Sequence, residues 1–503
     1  MNINLIEYFE STVQKYPKKD ALVDGEGAMS FTELQQKGLA IASAINSTCD
    51  TINQPVAVYL PKINTTVASF IGILYSGNTY APLDVKNPAN RVTKILEVLG
   101  PVCILTNDQY YEQIRSIRPN ATIINIDSLD QDTVASSLNY AKCIDTDPAY
   151  ILHTSGSTGV PKGVVISHKS IIDFIHWVIA TFAISHKEKI GNQAPFIFDN
   201  STLDIYLMVF TGATLYLTPE NLYSFPQKLI EYLEKHKINF IFWVPSVLVY
   251  VVNMKVLKPG RLPQLKKVLF CGEIMPTKHF NIWKNTLGSE TIFANLYGPT
   301  EITDVCSYHI IDREYADNEP LPIGIPCRNT DILILKDDLA CQSNEHGELC
   351  VRGSSLSNGY WSNHQKTSGV FVQNPLNNNY PEIIYRTGDI VYRDQDNIIH
   401  YVGRKDFQIK HLGYRIELGE IEHIILSLFD QISVCAVYDQ VKKEIVLFYE
   451  SQTPIASSDF RIKLSAKLLK YMIPTRYIHI DKMPKNASGK IDRSLLKNKI
   501  EEE

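Results

Sequence analysis

The sequence predicts an α/β protein with a large N-terminal domain of layered β-sheets and helices and a small α+β C-terminal domain. Three observations predict this class. Strand and helix patterns alternate along most of the chain, which is typical of largely parallel sheets covered by helices. The pattern changes to short β-rich segments near residue 330, and it changes again beyond Arg404. At 503 residues the chain is also longer than one hydrophobic core usually serves.

The N-terminal part begins with a capped helix. Apolar spacing predicts a helix over Phe31–Ile45, and Ser30 with Glu33 is typical of a capping box. The apolar run Phe240–Val252 is too short to span a bilayer and contains Pro245, so we interpret it as a buried strand plus a turn. The other elements expected here are strands at Pro55–Leu60, Pro101–Thr106 and Thr122–Ile126, and helices at Thr65–Tyr75 and Asp108–Ile117.

The C-terminal part consists of shorter elements separated by polar turns such as Asp394–Asn397. We place the domain boundary inside Gly403–Asp406, which gives domains of residues 1–405 and 406–503. The expected strands are Asp331–Leu335, Gly347–Val351, Ile390–Tyr392, Ile398–Tyr401, Ile432–Tyr438 and Glu444–Glu450, and the expected helices are Ile421–Leu428 and Phe460–Leu469.

Composition and charge exclude several classes of function. Hydrophobic residues make up 45% of the chain and charged residues 20%, which is a globular composition. The formal net charge of −5 gives no indication of nucleic-acid binding. The nine cysteines are scattered without a CxxC pair, so we expect reduced thiols and no zinc site. The first residues do not form a signal peptide and no segment is long enough to cross a membrane, so we expect a cytoplasmic protein.

The strongest chemical motif is the segment Tyr150–Gly163. An apolar strand leads into a loop rich in serine, threonine and glycine that ends in Pro161–Gly163. Glycines expose backbone N–H groups, the hydroxyls add donors and Lys162 adds positive charge, a combination that binds phosphate. The spacing differs from that of a Walker A loop. A solvated turn is the alternative interpretation, but it does not explain so dense a run of hydroxyls and glycines.

Further motifs follow in a fixed order along the whole chain: Phe198–Ser201, Asn295–Glu301, Tyr385–Asp389, Gly403–Glu420 and Asn486–Asp492. Together with the phosphate loop they resemble the adenylate-forming superfamily, known as ANL, and within it the stand-alone amino-acid adenylation enzymes of nonribosomal peptide synthesis. The resemblance implies the acyl-adenylate synthetase fold. It also implies a ligase that uses ATP and Mg²⁺ to join an amino acid to AMP with release of pyrophosphate.

The resemblance assigns roles to residues of these motifs. Lys490 matches the catalytic lysine that bridges the substrate carboxylate and the α-phosphate, Glu301 matches the Mg²⁺ ligand, and Thr300 matches a phosphate contact. Tyr297 and Asn295 would meet the adenine, and Asp389 and Arg404 the ribose. The nucleotide-binding set implied is Thr154, Ser155, Gly156, Ser157, Thr158, Gly159, Lys162, Gly272, Asn295, Tyr297, Gly298, Thr300, Asp389, Arg404 and Lys490.

Asp406 matches the hinge about which the family turns its C-terminal domain between two half-reactions. In the first, Lys490 faces the nucleotide. In the second, Gln408–Arg415 faces the site and lines the passage for a phosphopantetheine arm. Loss of Lys490 should therefore abolish adenylation, whereas changes at Gly413 should mainly impair thioester formation.

Asp199 distinguishes an amino-acid activator from acyl- and aryl-acid relatives, because an α-ammonium group in an apolar pocket needs a carboxylate partner. A capping role for Asp199 is the alternative interpretation. The family's specificity positions fall on Asp199, Asn200, Leu203, Phe242, Leu269, Cys271, Leu296, Asp304 and Val305, with Lys490 as the last.

The leucines and Phe242 describe a small apolar pocket, which resembles that of free-standing prolyl adenylation enzymes, so L-proline is the leading substrate. The stretch Leu269–Glu273 also resembles D-alanine–carrier ligases, although Phe242 and Leu296 are bulky for alanine. Asn200 and Asp304 are polar and leave open a hydroxylated or basic substrate. Since the chain ends soon after Asp492, we expect the aminoacyl group to pass to a separate phosphopantetheinylated carrier protein.

Two other classes of function are weighed against this one. An acyl- or aryl-CoA ligase is disfavoured by Asp199. A non-catalytic nucleotide-binding protein is disfavoured because Lys490, Glu301, Asp389 and Lys162 occur together. The sequence indicates no nucleic-acid or membrane partner, and it does not indicate an oligomeric state.

Overall fold

The structure is a computed structural model that describes residues 2–130, 139–155, 160–405, 408–429, 432–485 and 491–501. The chain divides into two compact units. The first unit comprises Met1–Val85, Leu99–Leu152 and Gly163–Lys405. The second comprises Lys86–Val98, His153–Lys162 and Asp406–Glu503, so that two short segments from earlier in the chain belong with the C-terminal part.

Helix α2 begins at the capping box that the sequence predicts. At the second helix, Ser30 accepts from the backbone N–H of Glu33 while the Glu33 side chain accepts from Ser30, which is the capping box expected. The α-helices are α1 Leu5–Lys15, α2 Phe31–Cys49, α3 Asn64–Tyr75, α4 Ala89–Leu99, α5 Asp108–Ile117, α6 His168–Phe182, α7 Asn200–Thr211, α8 Pro226–His236, α9 Pro245–Asn253, α10 Thr277–Leu287, α11 His364–Val370, α12 Leu418–Leu428, α13 Ser457–Ser465 and α14 Arg493–Glu501, with short 3₁₀ helices at Ile126–Ser128, Asn139–Lys142, Glu220–Ser224, Thr300–Ile302 and Lys470–Met472.

The strands form five sheets among the described residues. They are β1 Asp20–Val23, β2 Ala28–Ser30, β3 Pro55–Tyr59, β4 Thr79–Leu83, β5 Cys103–Thr106, β6 Ile123–Asn125, β7 Pro148–Thr154, β8 Lys162–Ser167, β9 Lys189–Asn192, β10 Thr214–Leu217, β11 Phe240–Trp243, β12 Lys267–Phe270, β13 Ile292–Tyr297, β14 Ser307–Ile310, β15 Ile325–Pro326, β16 Thr330–Lys336, β17 Leu339–Ala340, β18 Gly347–Gly353, β19 Phe371–Gln373, β20 Ile383–Arg393, β21 Ile399–Arg404, β22 Gln408–His411, β23 Tyr414–Glu417, β24 Ser433–Asp439, β25 Glu444–Glu450 and β26 Arg476–His479.

The largest sheet has nine strands in the order β15-β14-β13-β12-β11-β9-β10-β1-β2. Its centre is parallel, and β2, β14 and β15 are antiparallel to their neighbours. Alternate residues along β11 to β13 belong to two different hydrophobic clusters, because successive side chains of a strand point to opposite faces. Phe242 and Leu269 belong to the cluster that contains α7, whereas Trp243 and Phe270 belong to the other.

A second sheet has the order β6-β5-β3-β4-β7-β8, and its pairs from β6 to β4 are parallel. Helices α2 and α3 pack closely beside it, because Gly72 of α3 has no side chain. A Cβ atom at Gly72 would lie 2.7 Å from the Ile41 side chain and 2.8 Å from the carbonyl oxygen of Gly38. The third sheet, β17-β16-β18-β20-β19 with β21 on β20, is antiparallel throughout.

The C-terminal part of the second unit is a small α+β structure. Strands β22 and β23 form a hairpin around Leu412 and Gly413, which both have positive φ. Strands β24, β25 and β26 form a three-stranded sheet with an antiparallel and a parallel pair. Its two faces belong to two separate hydrophobic clusters, one with residues of α12 and α13 and the other with residues of α14.

The observed class confirms the α/β prediction, and most expected elements are present within a few residues of their predicted bounds. Two expectations are wrong. The segment after β11 is the helix α9 and not a turn, since Pro245 occupies the first helical position, where its missing N–H costs nothing. The helix expected at Phe460–Leu469 ends at Ser465. No helix in the described ranges is both long and apolar enough to cross a membrane.

Candidate active site

The residues expected to form the substrate pocket come from neighbouring parallel strands of the nine-stranded sheet. Phe242 of β11 is the register partner of Leu269 in β12, and Leu269 is the partner of Ala294 in β13. Cys271 and Leu296 lie two residues beyond Leu269 and Ala294, and therefore project from the same face. These side chains share one hydrophobic cluster and are at most 2% exposed.

Helix α7 covers this face, and together with its N-cap residue it carries three of the predicted residues, Asp199, Asn200 and Leu203. Leu203 is fully buried in the same cluster as Phe242. Asp199 is the N-cap residue of α7, and its carboxylate accepts from the backbone N–H of Asn200 over 3.0 Å. The capping interpretation of Asp199 therefore describes part of its role. The cap orients the carboxylate at the start of the helix.

Two polar residues accompany the apolar face. Asp304 is 1% exposed and has a left-handed backbone conformation, with a φ of 71°. The Nδ2 atom of Asn200 is buried and has no hydrogen-bond partner among the described residues. Val305, the next predicted pocket residue, is 1% exposed and belongs to the apolar cluster.

Tyr150 lies near two of the predicted pocket residues, and the sequence interpretation did not assign it to the pocket. Burial raises the pKa of Tyr150 well above its usual value, and the nearby carboxylates of Asp199 and Asp304 raise it further. The phenol is therefore neutral, and it lies close enough to both carboxylates to interact electrostatically with them. Tyr150 lies in β7 before the phosphate loop, and the sequence pattern of this buried strand does not indicate that it lies near the two carboxylates.

Glu301 lies in the 3₁₀ helix after β13 and is completely buried. The Tyr360 hydroxyl donates to its Oε1 atom over 2.7 Å, and its main-chain carbonyl accepts from the N–H of Ser357 over 2.9 Å. Thr300 begins the same 3₁₀ helix and is partly exposed. Tyr360 was not predicted, because it lies far from Glu301 in the sequence.

The residues expected to bind adenine and ribose lie where β13 meets β20 and β21. Asn295 donates to the carbonyl of Pro322 over 2.8 Å, and the Tyr297 hydroxyl donates to the Oδ2 atom of Asp389. Burial raises the pKa of Tyr297, and the charge of Asp389 raises it further. Arg404, the register partner of Asp389, binds the other carboxylate oxygen over 2.9 Å. Asp389 is 2% exposed and is therefore held between a phenol and a guanidinium group.

Gly298 and Gly272 shape the backbone of the first unit near these residues. A Cβ atom at Gly298 would lie 2.3 Å from the carbonyl oxygen of Asp304, so only glycine allows the two segments to approach. Gly272 follows Cys271 and has a φ of 96°, a conformation that strongly favours glycine.

The remaining described residues of the phosphate loop belong to the second unit. The Ser155 hydroxyl donates to the carbonyl of Arg415 over 2.8 Å and accepts from the N–H of Glu417 over 3.2 Å. Lys162 lies 3.4 Å from the Oε1 atom of Glu417. Thr154 precedes Ser155 at the end of β7, and its hydroxyl is buried with no hydrogen-bond partner in the part of the chain that the structure describes.

His153, also in the second unit, was not predicted. Neither ring nitrogen has a hydrogen-bond partner among the residues described. Burial lowers the pKa of His153 to about 3, and the charge of Arg91 lowers it further, so the imidazole is neutral. Arg91 itself forms a buried ion pair with Glu420 over 2.7 Å. The other predicted residues, Gly156, Ser157, Thr158, Gly159, Asp406 and Lys490, lie outside the described residues.

Comparison with known proteins shows which family and which relatives the chain is similar to. Residues 9–361 match the family described as AMP-binding enzyme. The chain is 32% identical to the delta-poly-L-ornithine synthetase of Acinetobacter baumannii (strain AB307-0294) over 98% of its own length, but it spans only 36% of that relative. It is also 32% identical to the zwittermicin A synthase ZmaJ of Bacillus cereus, covering 99% of this chain and 95% of that one.

A further relative is similar over both full lengths. The D-alanine–D-alanyl carrier protein ligase of Bacillus velezensis (strain DSM 23117 / BGSC 10A6 / LMG 26770 / FZB42) is 32% identical over 99% of this chain and 100% of the relative. Among solved structures, the Vibrio cholerae adenylation domain AlmE in complex with glycyl-adenosine-5′-phosphate has a TM-score of 0.84 at 21% identity, over 100% of this chain and 98% of that one. At this identity, the likeness shows the fold.

Proposed function

The chain belongs to the AMP-binding enzyme family, it is an adenylate-forming ligase, and from this premise we propose that it activates an amino acid and loads it onto a carrier protein. In the first step, a carboxylate oxygen of the amino acid attacks the α-phosphorus of ATP. The bond from that phosphorus to the bridging oxygen breaks, and pyrophosphate leaves. In the second step, the phosphopantetheine thiol of a carrier attacks the aminoacyl carbonyl carbon, losing its proton, and AMP leaves.

The position of Asp199 is the observation that carries the proposal. Its carboxylate lies at the start of α7, and Leu203 of the same helix packs in the apolar cluster with Phe242. An ammonium group that enters an apolar pocket loses its hydration, and a carboxylate compensates for that loss. A carboxylic acid without an amine brings no ammonium group for this carboxylate to bind. The arrangement therefore supports an amino acid as the substrate.

For the nucleotide, we propose that Asp389 accepts the ribose hydroxyls. Tyr297 and Arg404 already bind one oxygen each, but each carboxylate oxygen has a second lone pair for a ligand. Tyr297 and Asn295 are the proposed adenine contacts, while Ser155 and Lys162 are the proposed phosphate contacts. The catalytic role of Lys490 and the hinge at Asp406 stay predictions, as does the division into domains 1–405 and 406–503.

Glu301 fits a magnesium ion that is held mainly by phosphates. Mg²⁺ is usually bound by one or two carboxylates together with phosphate oxygens and water. Within the described residues, no group of three or more His, Cys, Asp or Glu side chains could hold a metal by itself. Glu301, with Tyr360 fixing one oxygen, could supply the single carboxylate. The ion would neutralise phosphate charge, while Tyr360 holds the orientation of the carboxylate.

We propose L-proline as the first candidate substrate, because Phe242, Leu269 and Leu296 give the pocket a fully buried apolar lining. D-alanine is the second candidate, and the full-length similarity to a D-alanine–D-alanyl carrier protein ligase supports it. Asn200 and Asp304 support a third possibility, an amino acid with a side-chain hydroxyl or amine. Consistent with such a reaction, we propose a cytoplasmic protein.

Amino-acid-dependent exchange of labelled pyrophosphate into ATP tests the proposal. The panel contains L-proline, D-alanine, hydroxyproline, ornithine and, as amine-free controls, short carboxylic acids. Exchange with an amino acid and none with the controls is the expected result. Clear preference for D-alanine over proline would contradict the proline assignment only. Exchange with the carboxylic acids alone, or with nothing in the panel, would contradict amino-acid activation itself. A second assay follows transfer to a purified phosphopantetheinylated carrier.

A further inference from the structure

The hairpin β22–β23 binds the phosphate-loop segment inside the second unit. Ser155 uses its one hydroxyl twice on β23, as a donor to the Arg415 carbonyl over 2.8 Å and as an acceptor from the Glu417 N–H over 3.2 Å. Ser155 is 6% exposed. Both contacts involve main-chain atoms of β23, so the position of the hairpin and not a particular side chain fixes them.

Glu417 adds a charged contact to the same segment. Its Oε1 atom lies 3.4 Å from Nζ of Lys162, and the two side chains are 13% and 10% exposed. Gln408, the register partner of Glu417 on β22, donates to the same carboxylate oxygen and accepts from Arg415 over 2.9 Å. The carboxylate is therefore oriented toward Lys162 by a neighbour on the adjacent strand. An ion pair this sheltered from water is screened less than a surface pair.

Lys162 is also the proposed cation for the phosphates of ATP. An ammonium group has three donors and could contact two anions at once. Two anions within contact distance of one Nζ atom, however, repel each other, and the repulsion is strong where water is excluded. ATP and Glu417 therefore compete for the same lysine, although nothing prevents either from binding it alone.

We propose that Glu417 is a positioning residue that holds Lys162 when phosphate is absent and gives it up when ATP binds, so that one lysine changes its anionic partner between the two half-reactions. The inference rests on the proposed function. When pyrophosphate has left, the return of Lys162 to Glu417 stabilises the contact between β23 and Ser155. The carboxylate thus weakens ATP binding and favours the arrangement of the second unit seen here.

The variant Glu417→Gln tests this exchange. It keeps the size of the side chain and removes its charge, so the KM for ATP in pyrophosphate exchange should fall by about threefold to tenfold. Transfer from preformed aminoacyl-AMP to the carrier should slow by about threefold, because the contact with Lys162 is weaker. A merely structural role for Glu417 would raise the KM for ATP or leave it unchanged. The matched control is Glu422→Gln, whose carboxylate pairs with Arg493 over 2.5 Å in the same unit.

The effect should require Lys162. In a Lys162→Ala background, the change from Glu417 to glutamine should no longer lower the KM for ATP. If Glu417→Gln does not fold, Glu417→Asp is the second variant. Aspartate keeps the charge but holds it farther from Lys162, so the KM for ATP should also fall, by a smaller factor. An unchanged or raised KM for ATP in the folded variant overturns the inference, as does the same fall in Glu422→Gln or in the Lys162→Ala background.

Failure of the proposed function gives a different result. If no amino acid supports exchange with the wild-type protein, the proposed function fails, and the inference is then decided by calorimetric titration with ATP. Tighter ATP binding by Glu417→Gln than by wild type still supports the competition for Lys162. Equal or weaker binding overturns it.

Discussion

The Tyr360 hydroxyl donates to the Oε1 atom of Glu301 over 2.7 Å, and the carboxylate has no exposed surface. The two residues are 59 positions apart in the first unit, Glu301 in the 3₁₀ helix Thr300–Ile302 and Tyr360 outside the named helices and strands. A buried carboxylate is expensive unless it is hydrogen-bonded, so the phenol both stabilises Glu301 and fixes its orientation. Tyr360 is therefore the partner through which the proposed metal ligand can be tested without removing it.

Tyr360→Phe removes this one hydrogen bond and keeps the ring. We expect the concentration of Mg²⁺ that gives the half-maximal exchange rate to rise by about tenfold, because loss of a partner behind a metal ligand usually costs 10–100-fold. The measurement is a magnesium titration of pyrophosphate exchange at saturating ATP. Tyr8→Phe is the control, since the Tyr8 hydroxyl bonds His176 at the surface. An unchanged magnesium dependence would mean that Glu301 does not hold the ion.

Asp389→Asn tests the proposed ribose contact. The change removes the charge that Arg404 and Tyr297 share, and it replaces an acceptor oxygen with a donor. We expect the KM for ATP to rise by about tenfold, with a smaller change in kcat. The sharper measurement compares ATP with 2′-deoxy-ATP: wild type should prefer ATP, and the variant should lose much of that preference. Asp331→Asn, which breaks a surface pair with Arg352, is the matched control.

If Asp389→Asn keeps the full preference for ATP over 2′-deoxy-ATP, the carboxylate does not accept from the 2′-hydroxyl. Its role is then confined to holding Tyr297 and Arg404.

The elements that the sequence predicts best are those governed by local chemistry. The capping box of Ser30 and Glu33 and the bounds of α5 and β25 follow from residues within one turn or one strand. The helix α9 was missed because a proline was interpreted as the end of regular structure, although it is well tolerated at the start of a helix. Periodicity does not distinguish the two cases.

Contacts between distant segments account for what the sequence does not show about the site. Alternation along β11 and β12 places Phe242 and Leu269 on one face, and this could be inferred once the strands were known to be parallel neighbours. No local pattern pairs Tyr360 with Glu301 or Glu417 with Lys162. The sequence identifies the reactive side chains, but only the fold shows which other side chains contact and orient them.

Asp204 of α7 should give the stability of the protein a pH dependence of unusual sign. Burial raises the pKa of Asp204 from 3.8 to about 7, although Asn192 and Lys62 partly oppose this. Between these two values the unfolded chain has released the proton and the native state retains it. The free energy of unfolding therefore falls as pH rises through this range, and the contribution of Asp204 levels off above the folded pKa.

The amide of Asp204→Asn does not ionise, so the free energy of unfolding of this variant should not fall in this way as the pH rises. The difference in the free energy of unfolding between variant and wild type should shift by about 2–4 kcal/mol in favour of the variant from about pH 4 to about pH 8. Urea unfolding at several pH values measures it. The buried His153 and His168, whose pKa values are lowered, change stability in the opposite sense, so only the difference isolates Asp204. Parallel pH profiles would show that Asp204 ionises as easily in the folded protein as in the unfolded chain.

Asp199→Asn tests the α-ammonium contact on which the proposed function depends. The amide keeps the shape of the cap on α7 and can still accept from the Asn200 N–H, so the helix should remain folded. The charge is lost, and we expect kcat/KM for the amino acid to fall by about 100-fold, because an ammonium group would then be buried without a counter-ion.

The most direct measurement compares proline with tetrahydrofuran-2-carboxylate, in which a ring oxygen replaces the amine. Wild type should strongly prefer proline, and the variant should lose most of that preference while the KM for ATP stays near the wild-type value. If the variant still discriminates as wild type does, Asp199 only caps α7, and the recognition of the amine must come from Asp304 or from another group of the pocket.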